Sequence, residues 1–279
     1  MTPDRSSSGA AISASGVRVE YERSRHKETL VALENFTVDI RMGEFVTIVG
    51  PSGCGKSTFL NCVAGLWFPA AGDLLVNGKP VSGPGVDRSV VFQDYALMPW
   101  RSVKANVRMG LELQHRVDST TDEKVARYID LVGLNGFEDA YPRELSGGMR
   151  QRVGLARALV TEPSILLMDE PFAAVDAITR ELMQDEVARI IASTGQTIVF
   201  ITHSVDEAIT LGDRIVVVSD RPGRVKEILP VSIPRPRSGR QIRHLPEYTD
   251  LRDRIWSLLA NESRSDKQTL PIESTRTGA

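Results

Sequence analysis

Phe45-Val46-Thr47-Ile48-Val49-Gly50-Pro51-Ser52-Gly53-Cys54-Gly55-Lys56-Ser57-Thr58 is the stretch on which the fold turns. It opens as a strand-sized apolar run. The residues from Gly50 to Ser57 then match the pattern G-x-x-x-x-G-K-[ST], ahead of a segment, 57–66, that reads as a helix. Strand, glycine-rich loop and helix in that order make an anion cradle. The glycines let the backbone wrap closely, and amides at the helix start face the anion with the helix dipole behind them. Lys56 neutralises phosphate oxygens, and the Ser57 hydroxyl is a ligand for Mg²⁺. Gly50, Pro51, Ser52, Gly53, Cys54, Gly55, Lys56, Ser57 and Thr58 are therefore the candidate phosphate contacts.

Outward from this loop, residues 17–21 and 36–40 alternate apolar and polar like half-buried strands, and residues 73–76 lead into an Asn77-Gly78 turn. Residues 89–93 form another expected strand. From Pro99 to about Leu159 the pattern is helical: residues 121–131 begin with a Thr/Asp cap, and Met149, Val153, Ala156 and Val160 share one helix face. Strands over 164–168, 197–202 and 214–219, separated by helical segments 177–193 and 205–211, restore the alternation of a parallel α/β sheet. The expected organisation is a disordered leader (1–14), a main domain (15–232) with a helical insertion at about 97–160, and a C-terminal extension (233–279). In that extension, residues 233–239 are rich in Pro and Arg and extended. Tyr248, Leu251, Ile255 and Leu258 then place one apolar stripe on a short helix expected to pack back on the domain, and the tail beyond Asn261 is expected to fray.

Residues 165–168 are apolar and end in Asp169-Glu170, which sets two carboxylates at the carboxyl edge of a sheet, where open α/β folds bind ligands. Standing alone, such a pair is as readily a helix N-cap. Combined with the glycine-rich loop, Asp169 becomes a holder of Mg²⁺ and Glu170 the general base for an attacking water. A second anion site lies in Leu145-Ser146-Gly147-Gly148-Met149-Arg150-Gln151, where Ser146 and the amides of Gly147 and Gly148 open a helix. Ser-Gly-Gly by itself is most often a turn. Placed between Lys56 and Asp169, however, the run resembles the signature of the ABC ATPase family, and the likeness spans roughly residues 17–225.

That resemblance implies a P-loop NTPase core of the ABC type, with an N-terminal antiparallel β subdomain, an inserted α-helical subdomain and ATP hydrolysis as the activity. It implies a second copy of the chain as partner, paired head to tail so that Ser146, Gly147 and Gly148 of one copy close on the ATP held by the other. Tyr21 corresponds to the aromatic residue that stacks on adenine, Gln93 to the Q-loop glutamine that senses Mg²⁺ and water, and His203 to the switch histidine at the γ-phosphate. Ala173-Ala174-Val175-Asp176 stands where the family more commonly has Ser-Ala-Leu-Asp; Asp176 is retained, and the dimer contact is expected to survive the flanking changes.

Pro84-Gly85-Val86-Asp87-Arg88, the segment 91–100 and Asp220-Arg221-Pro222-Gly223-Arg224 resemble the bacterial nitrate, sulfonate and taurine uptake branch. This likeness implies transmembrane permease subunits and, indirectly, an external solute-binding protein as partners, with a peripheral place on the cytoplasmic face of the inner membrane. The segment after Gln93 is expected to expose Tyr95, Leu97, Met98 and Trp100 within a loop region, an apolar cluster that needs a core or a partner. The resemblance puts the groove for a short permease helix there. Exporter ATPases share the same motifs, as do non-transport switches of DNA repair or translation. The latter usually add coiled coils, zinc modules or a second cassette, none of which is legible in this sequence.

Charged residues make up 25% of the 279-residue chain and its net charge is −2, so no basic field exists to hold nucleic acid. The longest apolar runs, such as 165–168 and 215–218, fall far short of the roughly 20 residues a membrane helix needs. The N-terminus has no apolar h-region of a secretory signal, and a cytoplasmic address is expected. Cys54 and Cys62, if carried on one helix, lie about 12 Å apart by helical rise, beyond disulfide reach.

Overall fold

The computed structural model describes residues 9–23, 28–173, 180–181, 183–185, 187–189, 195–237 and 242–260. The first half contains β1 (Ala10–Arg23), β2 (Glu28–Arg41), β3 (Phe45–Val49), α1 (Lys56–Ala64), β4 (Ala71–Val76), β5 (Lys79–Pro80) and β6 (Arg88–Val91). Next come α2 (Val103–Leu113), α3 (Thr121–Leu131) and α4 (Gly147–Leu159), then β7 (Ile165–Asp169), β8 (Thr197–Ile201), α5 (Val205–Leu211), β9 (Arg214–Val218), β10 (Val225–Pro230) and α6 (Pro246–Ala260). Between 177 and 193, where a helix is expected, the described residues from 180 to 189 are helical.

The strands form an antiparallel sheet in the order β2-β1-β4-β5 and a second sheet in the order β10-β9-β3-β8-β7-β6, whose inner strands β3, β8 and β7 are the continuously apolar ones. In the second sheet β9, β3, β8, β7 and β6 run parallel, with β10 antiparallel at the edge. Every residue of β3 and β8 is buried, as a sheet covered on both faces requires. Strand β7 shows the division: Leu166 and Met168 join the core beneath α2, α3 and α4, while Ile165 and Leu167 join the core shared with α1 and the antiparallel sheet. In that second core the rings of Phe36 and Phe59 lie 4.6 Å apart. Truncating a fully buried Phe of this kind to Ala costs about 3–5 kcal/mol.

The C-terminal stripe packs as its periodicity predicts. Tyr248 and Ile255 are buried, Leu251 and Leu258 rest against the same cluster, and the Tyr248 hydroxyl donates to Asp206 Oδ1 at 2.5 Å. Arg237, itself part of this extension, is buried and donates to the carbonyls of Ile233, Ile209, Val231 and Gly212; burial lowers its pKa to about 10.

Three expectations are corrected. First, β1 begins at Ala10, so residues 10–14 belong to the sheet and not to a disordered leader. Ile12 lies opposite both Ile40 and Val76, contacts that the low apolar contrast of neighbouring Ala and Ser residues hides in the sequence. Second, β6 stops at Val91, where its pairing with Met168 ends, so Gln93 lies on the exposed segment beyond the strand. Third, Tyr95 is buried and Leu97 packs on the core, whereas Trp100 is 72% exposed. Arg157 draws the Tyr95 end inward, donating to the carbonyls of Tyr95 and Ala96 at 2.6 and 2.6 Å.

Candidate functional site

Strand β3 delivers the glycine-rich loop to the carboxyl edge of the parallel sheet, and α1 carries the chain away from it. Gly55 makes the junction with φ 98; a Cβ there would lie 2.6 Å from Leu33 Cδ2 and 2.8 Å from the Ala32 carbonyl oxygen. No side chain caps α1 and its first turn carries no acid, so its leading amides and dipole face outward. Lys56 is buried, and its ammonium donates to the carbonyls of Gly50 and Pro51 at 2.8 and 2.9 Å and to Cys54 Sγ at 3.8 Å. Cys54 turns its thiol into the core, where burial pushes its pKa up; the second thiol, Cys62, is pushed up to about 12 and is likewise unpaired. Only the Cys54 backbone is therefore offered to a phosphate.

Strand β7, two places away in the same sheet, brings Asp169 to the loop. Ser57 Oγ donates to Asp169 Oδ1 at 2.9 Å, and burial raises the Asp169 pKa against that hydrogen bond. A hydroxyl and a carboxylate side by side are hard oxygen donors of the kind Mg²⁺ takes alongside substrate phosphates, so these residues fit the ion. Glu170 follows with φ 45, a left-handed backbone that costs a non-glycine residue about 1–2 kcal/mol. Its amide is anchored on the Ile201 carbonyl at 3.0 Å, and its Oε2 lies 3.1 Å from His203 Nδ1. A cleft of about 240 Å³ is lined by Tyr21, Leu30, Ala32, Ser52, Gly53, Gly55, Lys56, Ser57, Thr58, Glu170 and Arg221.

Residues 33–173 match the family model described as ABC transporter. The chain belongs to the ABC transporter family. It is 50% identical over 231 residues to the uncharacterized ABC transporter ATP-binding protein MJ0412 of Methanocaldococcus jannaschii, covering 83% of this chain and 85% of that protein. It is 43% identical to the taurine import ATP-binding protein TauB of Pelagibacter ubique, covering 84% and 89% of the two. A solved dimeric, post-hydrolysis state of the ATP-binding cassette MJ0796 with ADP and Pi superposes with a TM-score of 0.70 at 30% identity, over 79% of this chain and 98% of that one. The protein is thus an ATP-binding subunit of the ABC type and an ATPase.

In this ABC ATPase, Tyr21 reaches the cleft from β1: its hydroxyl is 3.0 Å from Thr58 Oγ1, and its ring meets Trp67 edge-on, centroids 4.9 Å apart. Ser146 is the N-cap of α4, accepting from the Met149 amide at 3.2 Å, with Gly147 and Gly148 opening the helix. Neither this helix start nor Gln93 is among the residues lining the cleft. Asp176 lies outside the described residues.

Glu207 is the site-flanking residue that sequence reasoning passes over. Four positions after His203, it stands at capping-box spacing from Ser204, and its amide does bond Ser204 Oγ at 3.3 Å. The carboxylate, however, is buried: it accepts from the Thr202 hydroxyl and from Gln184 Nε2, at 3.2 Å, and so braces the turn that carries His203. Burial raises its pKa above the ordinary 4.5. A carboxyl that holds its proton more tightly when folded favours folding at low pH and loses that contribution as pH rises through its folded pKa. The unfolding free energy of Glu207→Gln minus that of the wild type should therefore grow as pH is raised from 4.5 toward neutrality in urea titrations. A pH-independent difference would remove the burial account.

Proposed function

We propose that this ABC ATPase works as a head-to-tail pair that drives uptake of a small anionic or zwitterionic solute, of the nitrate, sulfonate or taurine type, through a membrane permease. The observation that carries the pairing is the separation of the two anion-binding parts. Lys56, Ser57 and Glu170 line one cleft, whereas Ser146 caps the start of a different helix outside it. A second copy supplies the missing part, and the dimeric form of the similar cassette MJ0796 supports this arrangement.

Within the pair, Tyr21 stacks on adenine, and the loop amides with Lys56 hold the phosphates. Ser57 and Asp169, with Gln93 close by when the dimer shuts, would hold Mg²⁺. The chemistry the ion would supply there is positive charge against the phosphate oxygens. Glu170 accepts a proton from water as its oxygen attacks the γ-phosphorus, and the bond to the β-phosphate oxygen breaks with its electron pair leaving on ADP. His203, oriented by its contact with Glu170, meets the γ-phosphate. Asp176, outside the described residues, keeps the dimer-contact role that the family resemblance implies.

Coupling to the permease is assigned to a second cleft, about 370 Å³, whose lining includes Phe92, Ala96, Met98, Met109, Leu113 and Arg157. Leu113 is 69% exposed, and an apolar groove of this kind suits a short amphipathic helix. Among the described residues no helix is long and apolar enough to cross a membrane, which fits a peripheral place on the cytoplasmic face of the inner membrane. Similarity to the taurine import protein TauB favours import, with the solute chosen by an external binding protein.

The deciding experiment is a pull-down of tagged protein from its own detergent-solubilised membranes, with mass spectrometry of the companions and a ligand assay on any binding protein recovered. A multi-spanning permease with a binder for sulfonate, taurine or nitrate is the expected result. Recovery of ribosomal or nucleic-acid partners alone would end the transport reading and leave the ATPase chemistry intact.

A further inference from the structure

The turn between β9 and β10, residues 219–224, reaches across to the phosphate loop. Arg221 Nε and Nη2 both donate to the Gly53 carbonyl, at 3.0 and 2.9 Å, and the side chain lines the cleft with Lys56 and Tyr21. Gly223 lies against the next peptide unit: a Cβ there would come within 2.0 Å of the Cys54 carbonyl oxygen. The turn itself is held from elsewhere. Ser219 Oγ donates to the carbonyls of Asp220 and Pro222 at 2.9 and 3.1 Å, the Gly223 amide donates to Ala32 O at 2.9 Å, and the Glu34 amide donates to Gly223 O at 3.1 Å. Arg221 is therefore mounted on the two sheets and meets the loop where both line the cleft.

The consequence follows from peptide geometry. In a planar trans peptide the C=O of one residue and the N–H of the next point in opposite directions. A rigid guanidinium that fixes the Gly53 carbonyl with two donors fixes the plane, and so aims the Cys54 N–H the other way. That N–H donates to the Pro51 carbonyl at 3.4 Å, a bond within the loop itself that a phosphate would have to share or replace. Inward amides are what such a loop uses to recognise phosphate. We infer that Arg221 is a positioning residue for nucleotide binding, holding the Gly53-Cys54 peptide plane so that the loop amides face the phosphates. The inference rests on the reading of this loop as the phosphate site.

The test compares Arg221→Ala, Arg221→Lys, Gly223→Ala and Lys56→Ala in the full-length protein, by titration with MgATP and with MgADP and by thermal melting. Arg221→Ala should weaken both nucleotides by a similar factor, about tenfold, as expected for loss of charge-assisted hydrogen bonds. Arg221→Lys should fail to restore more than a small part, because an ammonium keeps the charge and loses the fork. Gly223→Ala, which pushes on Cys54 with Arg221 intact, should likewise weaken ATP and ADP together.

A selective loss of ATP over ADP that lysine restores would assign Arg221 to direct charge recognition of the terminal phosphate and overturn the positioning role. Unchanged affinities in Arg221→Ala and Gly223→Ala, with melting temperatures near wild type, would also overturn it. If Lys56→Ala leaves ATP binding unchanged as well, the phosphate reading fails along with it; if Lys56→Ala abolishes binding, only the Arg221 inference is lost.

Discussion

Glu170→Gln is expected to bind ATP with near wild-type affinity and to hydrolyse it at least about a hundredfold more slowly, the usual scale for loss of a positioned general base. Glutamine matches glutamate in size and has the same backbone preferences, so the left-handed geometry at φ 45 and the approach to His203, 3.1 Å in the wild type, should persist. What disappears is the only proton acceptor Glu170 offers the attacking water. ATP then holds the two copies together without being consumed, and size-exclusion chromatography with MgATP should show a lasting dimer. An unaltered hydrolysis rate in this variant would falsify the assignment of Glu170 as base.

Lys56→Ala should act one step earlier, on binding. In the proposed site the ammonium is a full charge next to the phosphates, and even at an effective dielectric near 20 a contact of about 4 Å is worth about 4 kcal/mol. A rise of about a hundredfold or more in the ATP dissociation constant is expected in calorimetric titration. The carbonyls of Gly50 and Pro51 lose their donor as well, so the loop should loosen by about 1–3 kcal/mol. Circular dichroism separates this local cost from unfolding. Retained ATP affinity in a folded Lys56→Ala protein would remove the loop from the phosphate site.

Sequence legibility varied with the reach of each interaction. Strand β3, the loop and α1 could be read directly because a strand, a run of glycines and a helix start are all specified within a few residues. Residues 10–14 were illegible as strand because Ala and Ser carry little hydrophobic contrast, and what recruits them is Ile12 meeting Ile40 and Val76. Tyr95 looked like an exposed loop aromatic; it is buried through the pull of Arg157, more than sixty positions away, on its carbonyl and that of Ala96. Glu207 carried a local signal, but for the wrong partner: its spacing announces a helix cap, and the buried bond to Thr202 exists only once α5 has packed.

By itself, then, the sequence determined the chemistry of each piece: a backbone cradle at Gly50–Ser57, a hydroxyl at Ser57, carboxylates at Asp169 and Glu170, an imidazole at His203. These are local properties, set by residue type and by spacing within one or two turns of chain. Only the tertiary structure decided which of them meet. Ser57 and Asp169 are 112 residues apart and Gly53 and Arg221 are 168 apart, and the strand order β9-β3-β8-β7 brings their ends to one edge of the sheet. Strand order follows from burying both faces of a parallel sheet, a requirement of the whole chain that no short stretch of it contains.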